Sequence, residues 1–199
     1  SNHLPISISN KSIAELPFVT TSSSEETEYF SDGMTEEIIN ALAKIKGLKV
    51  TSWTSSFFFK NKNIAIPEIG QALNVSTVLE GSVRLSGNKM RITAQLIDVA
   101  DDFHFWSETF NRSMDDIFAV QDEISVLIAD KLREHIGHFE LGNNLVDVPD
   151  IPVATYQLFL KGRYYLAKVT KESTLRAIAI FEEVIAAQPN FPLAYLDIN

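Results

Sequence analysis

Cysteine is absent from all 199 residues. That single absence excludes disulfides, thiolate metal sites and cysteine nucleophiles. Basic residues are scarce as well, 17 against 26 acidic ones, for a formal charge of −9. Docking on a phosphate backbone draws on lysines and arginines that release counterions, so no direct contact with nucleic acid is expected. There is no run of about 18 apolar residues, and so no expected membrane span in this chain. The eight glycines never form a glycine-rich phosphate loop ahead of a helix, and no nucleotide cofactor is expected. What is present, 45% hydrophobic and 22% charged residues, is the composition of a globular protein with one ordinary domain and a smaller appendage. Ser1 and Asn2 read as a cloning remnant, and the chain as part of a longer protein.

The strongest pattern lies in VLEGSVRLSGNKMRITAQLIDVADDFHFWSETFNR, residues 78 to 112. Pairing Leu85 with Met90 across Ser86, Gly87, Asn88 and Lys89 also pairs Val83 with Ile92, Gly81 with Ala94 and Leu79 with Leu96. One face of this hairpin is apolar. The other carries Glu80, Ser82, Arg84, Arg91, Thr93 and Gln95, as expected of a sheet with one wet side. Ahead of it, residues 11 to 18 read as a strand stopped by Pro17, and TTSSSEETE as a surface loop. Met34, Ile38, Ile39, Leu42 and Ile45 recur at helical spacing, with Ser31, Asp32 and Thr35 as candidate caps and Gly47 as the stop. Residues 48 to 53 read as a strand, and Pro67 opens a short helix. A long amphipathic helix from Asp115 ends near Gly137. The expected fold is α/β (α+β), a mixed sheet in the order β-α-β-α-β-β-β-α, followed by an α-helical hairpin. The expected domains are residues 11–137, a linker at 138–152 and a helical unit at 153–199. In that unit Ala177, Phe181 and Pro189 stand at the spacing of a tetratricopeptide repeat, and Gly162 with Tyr165 supplies the matching pair in the first helix, although the connection between the helices is about three residues longer than the repeat's pattern. Tyr195 falls where a second repeat would begin.

The motifs KSIAELPF, YFSDGMTEEIINALAKI, LKVTSWTSSFFFK, IGQALNV, VLEGSVRLSGNKMRITAQLIDV, FWSE and DDIFAVQDEI together resemble the TolB amino-terminal-like domain over about residues 11 to 137. That resemblance implies a domain without assigned catalytic residues. It commonly sits between an effector, a class III nucleotide cyclase or a winged-helix DNA-binding domain, and tetratricopeptide repeats. It implies a non-catalytic regulatory module in a bacterial signalling protein, placed as the periplasmic domain of an inner-membrane protein, with a cytoplasmic location as the alternative. A free periplasmic scaffold without an effector is the competing reading. Glu15 departs from the resemblance, standing where an aliphatic residue is usual. It needs either a solvated side of the first strand or a partner.

No constellation in the sequence demands chemistry. His135 and His138 could share a metal, but without a carboxylate or thiolate third ligand nearby they read as helix-end residues. Asp101, Asp102 and His104 read as a polar turn, and Ser22 to Ser24, Ser55 and Ser56 lack the strand-turn-helix elbow of a reactive hydroxyl. No metal or catalytic residue is therefore expected. The better leads are aromatic. Phe57, Phe58 and Phe59 in succession cannot all face one core, so at least one should be exposed or covered by a partner. Tyr156, Phe159, Arg163 and Tyr164 lie on the first helix of the repeat, the surface on which such arrays bind proteins. A lone repeat cannot bury its own apolar face, so some of these must dock on the α/β domain or on another copy. Protein partners through the repeat surface, and a homodimer, are the expected associations.

Overall fold

The computed structural model describes residues 11–22, 24–137 and 151–190. The elements are β1 (Ser12–Glu15), β2 (Val19–Thr20), α1 (Glu25–Ala43), β3 (Lys49–Val50), α2 (Trp53–Phe57), α3 (Ile66–Leu73), β4 (Thr77–Ser86), β5 (Lys89–Asp98), β6 (Phe103–Ser113), α4 (Ile117–Ile136), α5 (Val153–Ala167) and α6 (Lys171–Ala187), with a 3-10 turn at Met114–Asp116. Among the described residues the fold is thus mixed α/β, with six α-helices and a mixed sheet in the order β3-β1-β4-β5-β6, while β2 continues beside β4. β3, β1 and β4 run parallel, and β4, β5 and β6 antiparallel. The expected element order lacked β2 and α2. Most of the 138–152 linker and the start of the second repeat at Tyr195 lie outside the described residues.

The hairpin register follows the alternation. Leu79, Gly81, Val83 and Leu85 stand opposite Leu96, Ala94, Ile92 and Met90. Only the turn is tighter than expected, because Ser86 also pairs with Lys89 and Gly87 takes the left-handed conformation at φ 59°. The start of α1 needs a larger correction. Ser24 caps it by accepting from Thr27 N at 3.2 Å, and Glu25, Glu26 and Glu28 complement the dipole of the first turn. The stretch read as a loop is therefore a cap and a helical turn. Ser31 and Thr35 then lie inside the helix and serve the strand. Pro17 interrupts the β1 ladder, and the backbone of Phe18 is satisfied from α1, its N–H donating to Thr35 Oγ1 at 3.1 Å and its carbonyl accepting from Ser31 Oγ at 2.8 Å.

Phe30, Met34, Ile38 and Leu42 of α1 and Ile117, Val120, Ile124, Ile128 and Leu132 of α4 form buried stripes against the apolar sheet face. Each large side chain buried there stabilises the fold by about 1.5–3 kcal/mol. On the opposite face α3 packs in a small cluster with Ala14, Val75, Val78 and Val99, joined by Leu16, and the sheet beyond is wet. Glu15 resolves the question its position posed in neither expected way. It is paired beside Leu79, fully buried, and neither carboxylate oxygen has a hydrogen-bond partner. Burial alone pushes its pKa well above the usual carboxylate range.

Two glycines stack the C-terminal helices onto this core. A Cβ on Gly33 of α1 would lie 2.4 Å from Leu160 Cδ2, and one on Gly162 of α5 would lie 2.5 Å from Phe181 Cε1. α5 therefore seats on α1, and α6 on α5, at distances that only glycine allows.

Two outcomes are expected. Because Glu15 has a raised folded pKa, its unfavourable contribution is absent below the unfolded-state pKa and grows as pH rises through the folded one. Glu15→Met, of similar volume, should stabilise the protein by about 1–3 kcal/mol at neutral pH and remove that part of the pH dependence in urea titrations. Gly33→Ala should cost about 1–3 kcal/mol by overpacking, with hydrogen exchange showing lost protection in α5 and α6 before the sheet.

Candidate functional site

The chain leaves β1 through α1 to β3 on one side and returns through α2 and α3 to β4 on the other. β1 is thus the switch point of the parallel part of the sheet. Its carboxyl end is where open α/β sheets place ligand crevices. A cleft of about 730 Å³ opens there, walled by residues Leu16 to Thr20, roofed by the segment Phe59 to Ile64, and floored by Glu80, Ser82, Thr93 and Gln95 from the wet sheet face. Asp32 and Glu28 reach it from α1, and Ile66 and Ile69 from α3.

Lys60 organises this cleft. Its ammonium donates to Asp32 Oδ2 at 2.6 Å and Glu28 Oε1 at 3.1 Å. Burial works against the charged amine, but the bonds to Asp32 and Glu28 hold its pKa above the ordinary lysine value. Burial raises the carboxyl of Asp32, with Lys60 opposing. At the more exposed Glu28 the effect of burial is outweighed by Lys60, Tyr164 and Lys168, and the carboxyl is held low. Glu80 is pushed up by burial and by Asp102, with His104 opposing. A second pocket of about 510 Å³ lies where α1, α2 and α5 meet, and Asp32 lines both. In that seam Asp32 Oδ1 and Trp53 Nε1 are buried without hydrogen-bond partners. One can accept and the other donate, so the seam has unused capacity for a small polar group.

The aromatic leads separate. Phe58 is 65% exposed and lies under the Lys62 ammonium at 3.1 Å. Phe57 stacks on Trp53 at 4.2 Å, and Phe59 lines the cleft. Tyr156 and Phe159, expected either to contact a partner or to dock on the α/β domain, are 3% and 1% exposed. The tyrosine hydroxyl accepts from Gln121 Nε2 at 3.0 Å, so α5 uses these side chains in packing within the molecule. Arg163 pairs with Glu36 and Glu37, and Tyr164 donates to Glu28 at 3.2 Å. Both join the seam. His135 is engaged by Asp98 at 2.9 Å and by the Phe105 ring at 3.8 Å, while His138 lies outside the described residues. Asp101 and Asp102 lie in the expected polar turn, where the Asp98 side chain accepts from Ala100 N, but His104 stands in β6 opposite Ile97. No group that could hold a metal ion occurs among the described residues, and no helix there is long and apolar enough to cross a membrane. Of Glu15, Asp32 and His104, only Asp32 lines the cleft.

Sequence reasoning missed Lys60. The acids Glu28 and Asp32 stand one helical turn apart, but their cation comes from a loop 32 and 28 residues further on, respectively, and no spacing rule links them.

Residues 9–127 match the family described as the HilA/YgeH-like transcriptional regulator, second domain. Over 190 residues the chain is 37% identical to a Rhizobium meliloti (strain 1021) protein named "Putative adenylate cyclase 3", covering 94% of this chain and 32% of that protein. The chain therefore spans about a third of the curated relative's length. Among solved structures, TolB from Acinetobacter baumannii aligns at 17% identity and a TM-score of 0.45 over 63% of this chain and 29% of that one. The LpoB C-terminal domain from Escherichia coli aligns at 17% identity and a TM-score of 0.40 over 55% and 87%.

Lys60→Met leaves two carboxylates facing each other without their cation. The expected cost is about 1–2 kcal/mol, between the values for exposed and buried pairs. Hydrogen exchange should show the loss first in residues 59–64 and in α5.

Proposed function

Because the chain belongs to the family of HilA/YgeH-like transcriptional regulator second domains, we propose that it is a non-catalytic reception module of a bacterial multidomain signalling protein. The effector lies elsewhere in the parent, as a nucleotide cyclase or a transcriptional regulator domain. The observation that carries this reading is that Glu28 belongs to two assemblies. It holds Lys60 at the cleft and accepts from Tyr164 of α5. A ligand that competes for Lys60 in the cleft changes what Glu28 offers to α5, and so biases how the α5–α6 hairpin is held. A ligand shifts such an equilibrium only by its differential affinity for the two arrangements. Here that difference arises at Lys60.

We read the α5–α6 hairpin as the first unit of a tetratricopeptide array. On this reading α5 is committed to the α/β domain, and protein partners contact later repeats or the outer face of α6, where Leu175, Ile178 and Ile185 are exposed. The layout implied by the sequence resemblance puts the module outside the cytoplasm, joined to its effector across the membrane by a segment elsewhere in the parent. In this arrangement the module transmits a change in position rather than a reaction product.

The test uses the full-length parent. With Lys60→Met, the effector should keep its basal output but lose at least about half of its regulated range, and deletion of residues 11–137 should remove regulation altogether. Unchanged regulation in both variants would sink the reading.

A further inference from the structure

β6 is the last strand of the sheet. It pairs with β5 along its length and, among the described residues, with nothing on its other side. Natural proteins blunt an edge of this kind with proline, a bulge, a very short strand, a covering element or charged side chains. β6 carries Glu108 and Arg112, charges that oppose most pairings but match in one register. β6 is 11 residues long and contains no proline. Its one irregularity falls at Phe105, between the Leu96–Trp106 and Ile97–His104 pairs. Trp106 to Ser113 is therefore regular, and Ser107, Glu108, Thr109, Asn111 and Arg112 are exposed.

We propose that this edge is a homophilic interface. β6 of one copy pairs antiparallel with β6 of a second copy about a two-fold axis at Phe110, giving one continuous sheet with the helical layers of both copies on the same side. The charges select the register. Glu108 and Arg112 lie on the same strand face two positions either side of Phe110. Centring on Phe110 sets Glu108 of each copy opposite Arg112 of the other, forming two cross-copy ion pairs. Arg112 already contacts Glu123 at 2.8 Å, and its five donors allow it to bridge both acids. On the other face the same register sets Thr109 opposite Asn111 and Ser107 opposite Ser113, polar pairs that can hydrogen-bond. Centring on Glu108 or on Arg112 would oppose like charges, which destabilises a strand pair. Centring on Thr109 or Asn111 would leave both charges unmatched. Among the registers that keep the two helical layers on one side, the one at Phe110 alone satisfies both ions.

A single strand pair buries little surface and falls below the roughly 1,200 Å² of a stable interface. The dimer is therefore reversible and concentration-dependent, and it stands independently of the regulatory reading above.

Sedimentation equilibrium of the chain over the micromolar range tests the proposal, with circular dichroism confirming that each variant is folded. The wild type should associate reversibly to a dimer. Glu108→Arg should weaken association at least about tenfold, and Glu108→Arg/Arg112→Glu should restore it. Because the chain has no cysteine, Thr109→Cys/Asn111→Cys should oxidise to a covalent dimer. A chain that stays monomeric, a dimer indifferent to Glu108→Arg, or a defect that the double variant fails to restore would overturn the proposal. A masking of the edge by another segment of the same chain would appear as the monomeric outcome.

Discussion

The missing side chain at Gly33 sets the arrangement of most of this molecule. α1 must present Phe30, Met34, Ile38 and Leu42 to the sheet while letting a second helix lie against its back. A Cβ there would overlap the Leu160 side chain. With only hydrogen at that position, α5 approaches until Leu160 fills the notch, and the polar residues around it come into bonding range, Arg163 with Glu36 and Tyr164 with Glu28. The same device recurs one layer out, where Gly162 admits the ring of Phe181. The sheet, α1, α5 and α6 thus form successive layers, each keyed to the one before.

This architecture concentrates polar groups where chain connections diverge. At the carboxyl end of β1 the strand stops at a proline, α1 and α3 lie on opposite faces, and the backbone of Phe18 depends on side chains of α1. Lys60 adds a cation held by two acids, one of which also holds α5. A cleft and a helix interface therefore share one carboxylate. In a protein interior a charged network of this kind costs more in desolvation than its Coulomb attraction returns unless its geometry is good. Its position beside an open cleft is consistent with a role other than stability. Glu15 is the opposite case, a buried carboxyl with no partner among the neighbouring groups and no opening to the cleft.

The hairpin was legible from sequence because alternation at period two fixes both face and register once one pair is chosen. Leu85 opposite Met90 carried the rest with it. A helical hairpin was legible from residue 153 onward, and it is found as Val153–Ala167 and Lys171–Ala187. The start of α1 was not. Ser24 and the acids after it have the composition of a loop as well as that of a cap and first turn, and what separates the two is whether Ser31 and Thr35 have a strand backbone to serve. α2 was hidden similarly, because Trp53 to Phe57 has strand-like composition and becomes helical with Ser52 capping its first turn.

The candidate site was less legible than the fold. Phe58 was open to recognition as an exposed aromatic, because three consecutive phenylalanines cannot share one core. Tyr156 and Phe159 could not be assigned to a partner or to the interior, since an amphipathic helix announces that a face is buried but not against what. By itself, then, the sequence determined the types of most elements, β2, α2 and the start of α1 excepted, together with the hairpin register, the absence of cysteine chemistry and the acidic charge, all of which follow from local spacing or composition. Only the tertiary structure decided that Lys60 meets Asp32 and Glu28, that Glu15 is sealed without a partner, and that α5 docks on α1. Those outcomes depend on distances between segments far apart in the chain, and no local periodicity encodes them.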